Sequence, residues 1–322
     1  MLPDFLNRFA KVGSVVALTV AMTVAALPAR KASAQVSALT GAGASSITDL
    51  ADLLVNIPGA NNRYVVTGSG TGRQLFQDGL TDFVATDLTL PNVDGVVVNE
   101  AFLQVAFPFN VPGFDGQLTA SQACSIVNGD ITNWNEVGGP DLPIVRVVRG
   151  DNSGTSATLQ AGFINPICND QFGLGNQSFD PNNGAFLGFS NPQGNEIVVQ
   201  PPADPFNSGD DLNSGSYSLG VISAVQNTPG AIGYVEDALA INRGVPLATN
   251  VESGLSTIAV GPTYVVFNRF YQNQDDVNDA RAKCLAISNS DLLQSRDYIP
   301  GADAVSGGNT DLCNQIDTIP GQ

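Results

Sequence analysis

The stretch RGDNSGTSATLQAGF, Arg149 to Phe163, sets an arginine, an aspartate and several small hydroxyl and glycine residues directly before a helix-like run. The first N–H groups of a helix lack intrahelical partners and carry partial positive charge, and neighbouring hydroxyls add donors without bulk, so Ser153-Gly154-Thr155 has the chemistry of an anion nest. Two other stretches repeat the pattern: GAGASS at 41–46 and TGSGTG at 67–72. Glycine lets the backbone approach a ligand closely and adopt positive φ. One such cluster is ordinary turn and N-cap chemistry. Three in one chain, each between a strand-like and a helix-like run, predict turns that converge on an oxyanion. Arg149-Gly150-Asp151 is also an integrin-type tripeptide, a reading that needs an exposed loop tip.

The elements that must position these turns follow from patterning. RYVVTG, DFVAT, LQVAFPFNV, PIVRVVR, EIVVQ and TYVVFNRF are short apolar runs, rich in Val and Phe and bounded by Gly, Pro or Asx, and predict buried strands. SITDLADLLVN, GRQLFQDG, TASQACSIVNG, TSATLQAGF, SLGVISAVQN and DDVNDARAKCLAISN predict helices between them. That alternation predicts an α/β fold with parallel-type sheets, in which ligands sit outside the carboxyl ends of the strands. Residues 169–215, dominated by Asn, Gly, Pro, Asp and Ser, predict a long surface excursion around EIVVQ. No fixed-period repeat is present.

Arg8 and Lys11 precede the apolar run VGSVVALTVAMTVAALP, and Ala32 and Ala34 supply an A-x-A cut before Gln35. Residues 1–34 thus predict a cleaved signal peptide and a periplasmic or secreted, soluble product with no membrane anchor. The remaining chain has 9 basic and 29 acidic residues, a net charge of −20, which argues against nucleic acid or an anionic membrane as partner. Its 288 residues exceed the usual single core of about 250 residues and predict two lobes. The chain has no histidine, which removes Ser-His-Asp and Cys-His catalysis and His-ligated zinc. The four cysteines, Cys124, Cys168, Cys284 and Cys313, predict disulfides in an exported protein.

TGAGAS, VTGSGTGRQLF, FVATDLTL, NGDITNWNEVGGPDLPIVRVVRGDNSGTS and GVISAVQNTPGAIGYVE, in this order from Thr40 to about Tyr264, resemble the high-affinity phosphate-binding proteins of phosphate ABC transporters. The resemblance implies a two-lobe periplasmic-binding-protein fold, type II-like, with the ligand in a cleft between lobes joined by crossing hinge strands. It implies inorganic phosphate and a membrane permease as partners, a monomer, and neither cofactor nor metal. Ser45, Ser46, Ser69, Asp87, Arg149, Ser153, Gly154 and Thr155 fall on the family's ligand positions, and Asp151 falls where an acidic residue orients the arginine. Ser46-Ile47 departs from the family's usual Phe-Pro, keeping a backbone donor and losing an aromatic wall.

A buried dianion is costly unless its oxygens are hydrogen-bonded, which suits serines, backbone N–H groups and an arginine fork. Asp87 fits because a carboxylate accepts only: hydrogen phosphate has a proton to give and sulfate has none. The expected lobes are 35–109 with 262–322, and 110–261, crossed by LQVAFPFNV and GPTYVVFN. This division pairs Cys124 with Cys168 and Cys284 with Cys313. The rival function is an exported phosphatase or metal-assisted phosphomonoester hydrolase on the same fold, with DPNNG at 180–184 and SGDDLNSG at 208–215 as its acid-rich turns. A third is the binding of another oxyanion.

Overall fold

Alternating strand and helix patterns resolve, among the described residues, into two main sheets, each with its own helices and apolar core, and two small two-stranded ladders. The computed structural model describes residues 36–88, 93–172, 195–204, 206 and 217–320. The expected signal peptide, most of the 169–215 excursion and both acid-rich turns lie outside the described residues.

The first sheet runs in the order Val235–Glu236, Gly95–Ala106, Thr257–Asn268, Phe83–Thr86, Thr40–Gly43, Arg63–Val66, with Ile299–Pro300 also paired to Gly95–Ala106. Thr40–Gly43 is parallel to both its neighbours, Gly41 lying opposite Tyr64 on one side and Phe83 on the other. Gly95–Ala106 and Thr257–Asn268 pair antiparallel along their whole length, from Gly95 opposite Asn268 to Ala106 opposite Thr257. These long strands contain the starts of both segments expected to cross between lobes. The second sheet is ordered Phe109–Asn110, Ala231–Gly233, Val145–Arg149, Asn195–Val199, with Val147 paired in parallel to Gly233 and Ile197.

Each sheet buries its apolar residues against separate helices. On the first, Tyr64, Phe83 and Phe267 stack with centroids 6.2 and 5.9 Å apart, and Gln274–Ile287 packs its Val277, Ala280 and Ile287 into the same core. On the second, Trp134 is fully buried beside Phe109 and Phe114, and its Nε1 donates to the Gly230 carbonyl at 2.9 Å. That bond ties the NGDITNW segment to the TPGAIG turn. The helix Ala120–Asn128 begins with a reciprocal Thr119–Gln122 capping box. The disulfides are Cys124–Cys168 and Cys284–Cys313, as expected, and each lies within one of these cores.

Two expected helices differ in form. SITDLADLLVN makes only a 3-10 turn, Thr48–Leu50, and the short helix Asp52–Val55, because Pro58 and Gly59 follow at once and give no room for further turns. TSATLQAGF forms Gly154–Leu159 and continues as a wider-wound helix over Gln160–Asn169 that carries Pro166 inside it.

Candidate functional site

Five chain segments deliver polar groups to one place, each from the carboxyl end of a strand, where the open α/β topology predicts a ligand. Ser45 and Ser46 follow Thr40–Gly43, Ser69 follows Arg63–Val66, Asp87 follows Phe83–Thr86, Arg149 ends Val145–Arg149, and Glu236 ends Val235–Glu236. Ser45, Ser46, Ser69, Asp87, Arg149, Asp151, Ser153, Gly154, Thr155 and Glu236 are all buried.

The loop 44–46 is held from behind. Tyr64 donates to the Ala44 carbonyl at 2.8 Å, Thr48 to the Ser45 carbonyl at 2.7 Å and Tyr298 to the Ser46 carbonyl at 2.9 Å. In trans peptides the N–H points opposite to the carbonyl of the same unit, so the N–H groups of Ser45, Ser46 and Ile47 turn away from these tethers.

Arg149 is the cationic centre. Its Nε and Nη2 donate to the two Asp151 oxygens, both at 2.6 Å. Its Nη1 donates to Ser45 Oγ at 3.2 Å and Ser218 Oγ at 3.0 Å. The guanidinium carbon lies 5.6 Å from the centre of the Tyr217 ring, within reach of a cation–π contact. Burial pulls the Arg149 pKa down, but the charge and hydrogen bonds of Asp151 more than offset that, and the group stays above its usual value. The backbone N–H of Arg149 donates to the Tyr234 hydroxyl at 3.1 Å, and Tyr234 in turn shares a 2.8 Å hydrogen bond with Ser156.

Asp87 is the anionic centre. Ser46 and Thr263 donate to its Oδ1, each at 2.8 Å, and Ser69 donates to its Oδ2 at 3.2 Å. Burial pushes its pKa up, the charge of Glu236 adds to the rise, and the three hydroxyl donors oppose it, leaving it at about 6. Gly154 packs directly against the anionic centre: a β-carbon there would lie 2.5 Å from Ser69 Oγ and 2.7 Å from Asp87 Oδ2. Only a residue without a side chain fits. Ser153 caps the following helix, its Oγ accepting from the Ser156 N–H at 3.1 Å, which leaves its hydroxyl proton free for an acceptor. Thr155 Oγ1 donates to Glu236 Oε1 at 2.5 Å.

All nine residues expected at the site fall in this neighbourhood, and the integrin reading fails because Arg149 and Asp151 are buried. Sequence reasoning missed Ser218, Thr263, Glu236 and the tethers Tyr64 and Tyr298. Glu236 stood at the end of TPGAIGYVE, whose apolar run flags a strand carrying an acid at its carboxyl end. Ser218 and Thr263 gave no such signal. The cluster also joins distant parts of the chain beyond the polar centre: Gly70 N–H donates to the Asn152 carbonyl at 3.0 Å, and Arg243 and Asn242 both bond Asp49.

Serine and threonine hydroxyls, one buried arginine and one buried carboxylate, gathered on a two-lobe α/β fold, make up the candidate site. The chain matches the PBP superfamily domain over residues 28–319 and belongs to that family, in line with the resemblance drawn from the sequence. It is 26% identical over 315 residues to "Alkaline phosphatase L" of Pseudomonas aeruginosa, covering 82% of this chain and 83% of that one. It is 28% identical over 139 residues, 37% of each chain, to "Phosphate-binding protein PstS 3" of Mycobacterium leprae. Its fold is similar to that of a putative phosphate ABC transporter substrate-binding protein with bound phosphate from Clostridium perfringens, with a TM-score of 0.58, 18% identity, and coverage of 82% of this chain and 99% of that one.

Proposed function

We propose that the protein is an exported receptor that captures inorganic phosphate between its lobes and delivers it to the permease of an ABC transporter. The observation that carries this reading is the presence of the Arg149 guanidinium, with its Nη1 turned to Ser45 and Ser218, and of Asp87 inside one buried set of hydroxyls. The donors suit an oxyanion, and the carboxylate, which only accepts, suits an oxyanion that has a proton to give. Ser45, Ser46, Ser69, Asp87, Arg149, Ser153, Gly154 and Thr155 are the proposed phosphate ligands, and Asp151 orients Arg149. The proposed lobes are 35–109 with 262–322, and 110–261. Asp49 lies in the first and Asn242 and Arg243 in the second, so their contacts would latch the cleft when it closes. Closure is a hinge motion about the crossing strands. The protein acts as a monomer, is exported by its amino-terminal segment and is not an enzyme; among the described residues no helix is long and apolar enough to cross a membrane.

The Pseudomonas aeruginosa relative bears the name of a phosphatase, which makes phosphomonoester hydrolysis the second reading to test. For that reaction the candidate nucleophile is Ser45, whose Oγ lies 3.2 Å from Arg149 Nη1. Calorimetric titration with phosphate, sulfate and arsenate, beside a hydrolysis assay on p-nitrophenyl phosphate, tests both. Phosphate binding without turnover supports the receptor. Turnover abolished by Ser45→Ala would replace it with the hydrolase.

A further inference from the structure

Ser218 touches both Arg149 and Ser45 from a part of the chain that belongs to none of the Gly-Ser turns. It is fully buried. Its Oγ lies 2.7 Å from Ser45 Oγ and 3.0 Å from Arg149 Nη1, and the same Nη1 donates to Ser45 Oγ at 3.2 Å, so the three atoms close a triangle. Nη1 carries two protons and gives one to each serine. Each hydroxyl carries one proton, and the bond between the serines takes one of these two, so one hydroxyl proton is left for a further acceptor. The backbone that presents Ser218 is unusual as well. Tyr217 has a φ of +55°, in the left-handed region that a bulky residue seldom occupies. It opens the helix Tyr217–Asn227, whose Val221, Ile222 and Val225 pack with Val147 and Ala231 of the second sheet, whereas Tyr217 itself lies in the core of the first. Such a conformation persists where the surrounding packing over-determines it; here it stands directly before Ser218 and sets the tyrosine ring 5.6 Å from the Arg149 guanidinium carbon.

Resting on the phosphate reading of this site, we propose that Ser218 is a positioning residue for the anion: it accepts from Arg149 Nη1, donates to Ser45, and so keeps the Ser45 proton as the one turned to phosphate. Ser45 is the member of the pair that shares loop 44–46 with the N–H groups turned away from the Tyr64, Thr48 and Tyr298 tethers. A proton kept on Ser45 therefore joins donors already gathered there, and one kept on Ser218 would not. The order also strengthens the last bond. The arginine polarises the Ser218 hydroxyl, which polarises that of Ser45, and hydrogen bonds in such a chain reinforce one another at low local dielectric. Without Ser218, Ser45 still accepts from Nη1, but nothing on its other side fixes where its own proton points.

A double-mutant cycle on Ser45 and Ser218, read by calorimetric titration with inorganic phosphate, tests this role. Ser218→Ala is expected to weaken phosphate binding about 5- to 10-fold, the worth of about one hydrogen bond. In a Ser45→Ala background, itself expected to bind about tenfold more weakly than wild type, the same change is expected to cost less than about twofold, because Ser218 acts through the Ser45 hydroxyl. A structural role alone would lower the melting temperature of phosphate-free protein and would cost the same affinity in both backgrounds. Ser218→Cys keeps the shape and weakens both of its hydrogen bonds, and carries the same comparison if the alanine variant does not fold. Equal losses in the two backgrounds, or wild-type affinity in Ser218→Ala, would overturn the inference and leave the phosphate receptor standing. A wild type that binds no phosphate would overturn the proposed function itself, and this inference with it.

Discussion

Replacing Arg149 by alanine should damage the fold and the site by different amounts, and a second substitution separates the two. Asp151 is buried, and both of its side-chain hydrogen bonds, at 2.6 Å, go to Arg149. Removing the guanidinium leaves that carboxylate uncompensated, which costs about 3–5 kcal/mol for a buried pair broken on one side. For a chain of this size that lowers the melting temperature on the order of 10 °C. The same substitution removes the Nη1 bonds to Ser45 and Ser218 and the only cation in the cluster among the described residues, so phosphate affinity should fall at least about 30-fold. In Arg149→Ala with Asp151→Ala the orphaned charge is gone, so most of the stability should return while phosphate affinity stays lost. Denaturant melts in phosphate-free buffer and calorimetric titration of the three variants read the two quantities independently. A single variant as stable as wild type would refute the claim that the pair is a buried, mutually dependent unit. A double variant that binds phosphate near the wild-type level would refute the assignment of Arg149 to the anion.

Three further outcomes follow from the same geometry. Asp87→Asn exchanges an obligate acceptor for a group that can also donate, so the phosphate-to-sulfate preference should shrink by roughly tenfold or more in competition calorimetry. In ligand-free protein burial favours protonated Asp87 more than the unfolded chain does, so this contribution to stability is fully present below the unfolded-state value of about 4 and is lost as pH rises through about 6. About 3 kcal/mol should therefore separate wild type from Asp87→Asn at pH 7, in favour of the variant, and much less at pH 4, as read by urea melts. Gly154→Ala drives a β-carbon against Ser69 Oγ and Asp87 Oδ2, and should weaken phosphate binding at least tenfold while destabilising the fold by about 1–3 kcal/mol in a thermal melt.

The backbone plan was legible in the sequence because it rests on local signals. Short β-branched runs ended by glycine or asparagine became strands, and the Gly-Ser turns after them became the rim of the site. The strand GVVVNEAFLQVA was recognised only from Leu103 onward, because Asn99 and Glu100 interrupt its apolar run. Glu100 is fully buried all the same, and burial raises its pKa well above the usual carboxylate range. No periodicity argument anticipates a buried acid inside a sheet. Ser218 and Thr263 were illegible for a different reason. Each lies far along the chain from the residue it contacts, Ser218 being 173 residues from Ser45 and Thr263 176 residues from Asp87, and a lone hydroxyl carries no local pattern.

The loss of an aromatic residue at position 46 has a compensation that only the fold displays. A phenylalanine side chain there has no hydroxyl, whereas Ser46 Oγ donates to Asp87 Oδ1 at 2.8 Å, beside Thr263 on the same oxygen. With both donors on Oδ1 and only Ser69 on Oδ2, the carboxylate keeps an acceptor direction on Oδ2, the oxygen nearest Gly154. The serine therefore fixes the carboxylate proposed to read the ligand's proton, in place of walling the pocket. Ser46→Ala should leave backbone donation intact and remove this one bond. Phosphate affinity should then fall only about 3- to 10-fold, the worth of one hydrogen bond to a charged group weakened by the remaining Thr263. The larger effect should be on Asp87 itself: losing a hydroxyl that favours the ionised form moves its pKa further up from about 6. The pH at which ligand-free stability declines should rise with it, measurable by urea melts between pH 5 and 8. An unchanged midpoint would mean that Ser46 is a bystander, and that Thr263 and Ser69 alone set the state of the carboxylate.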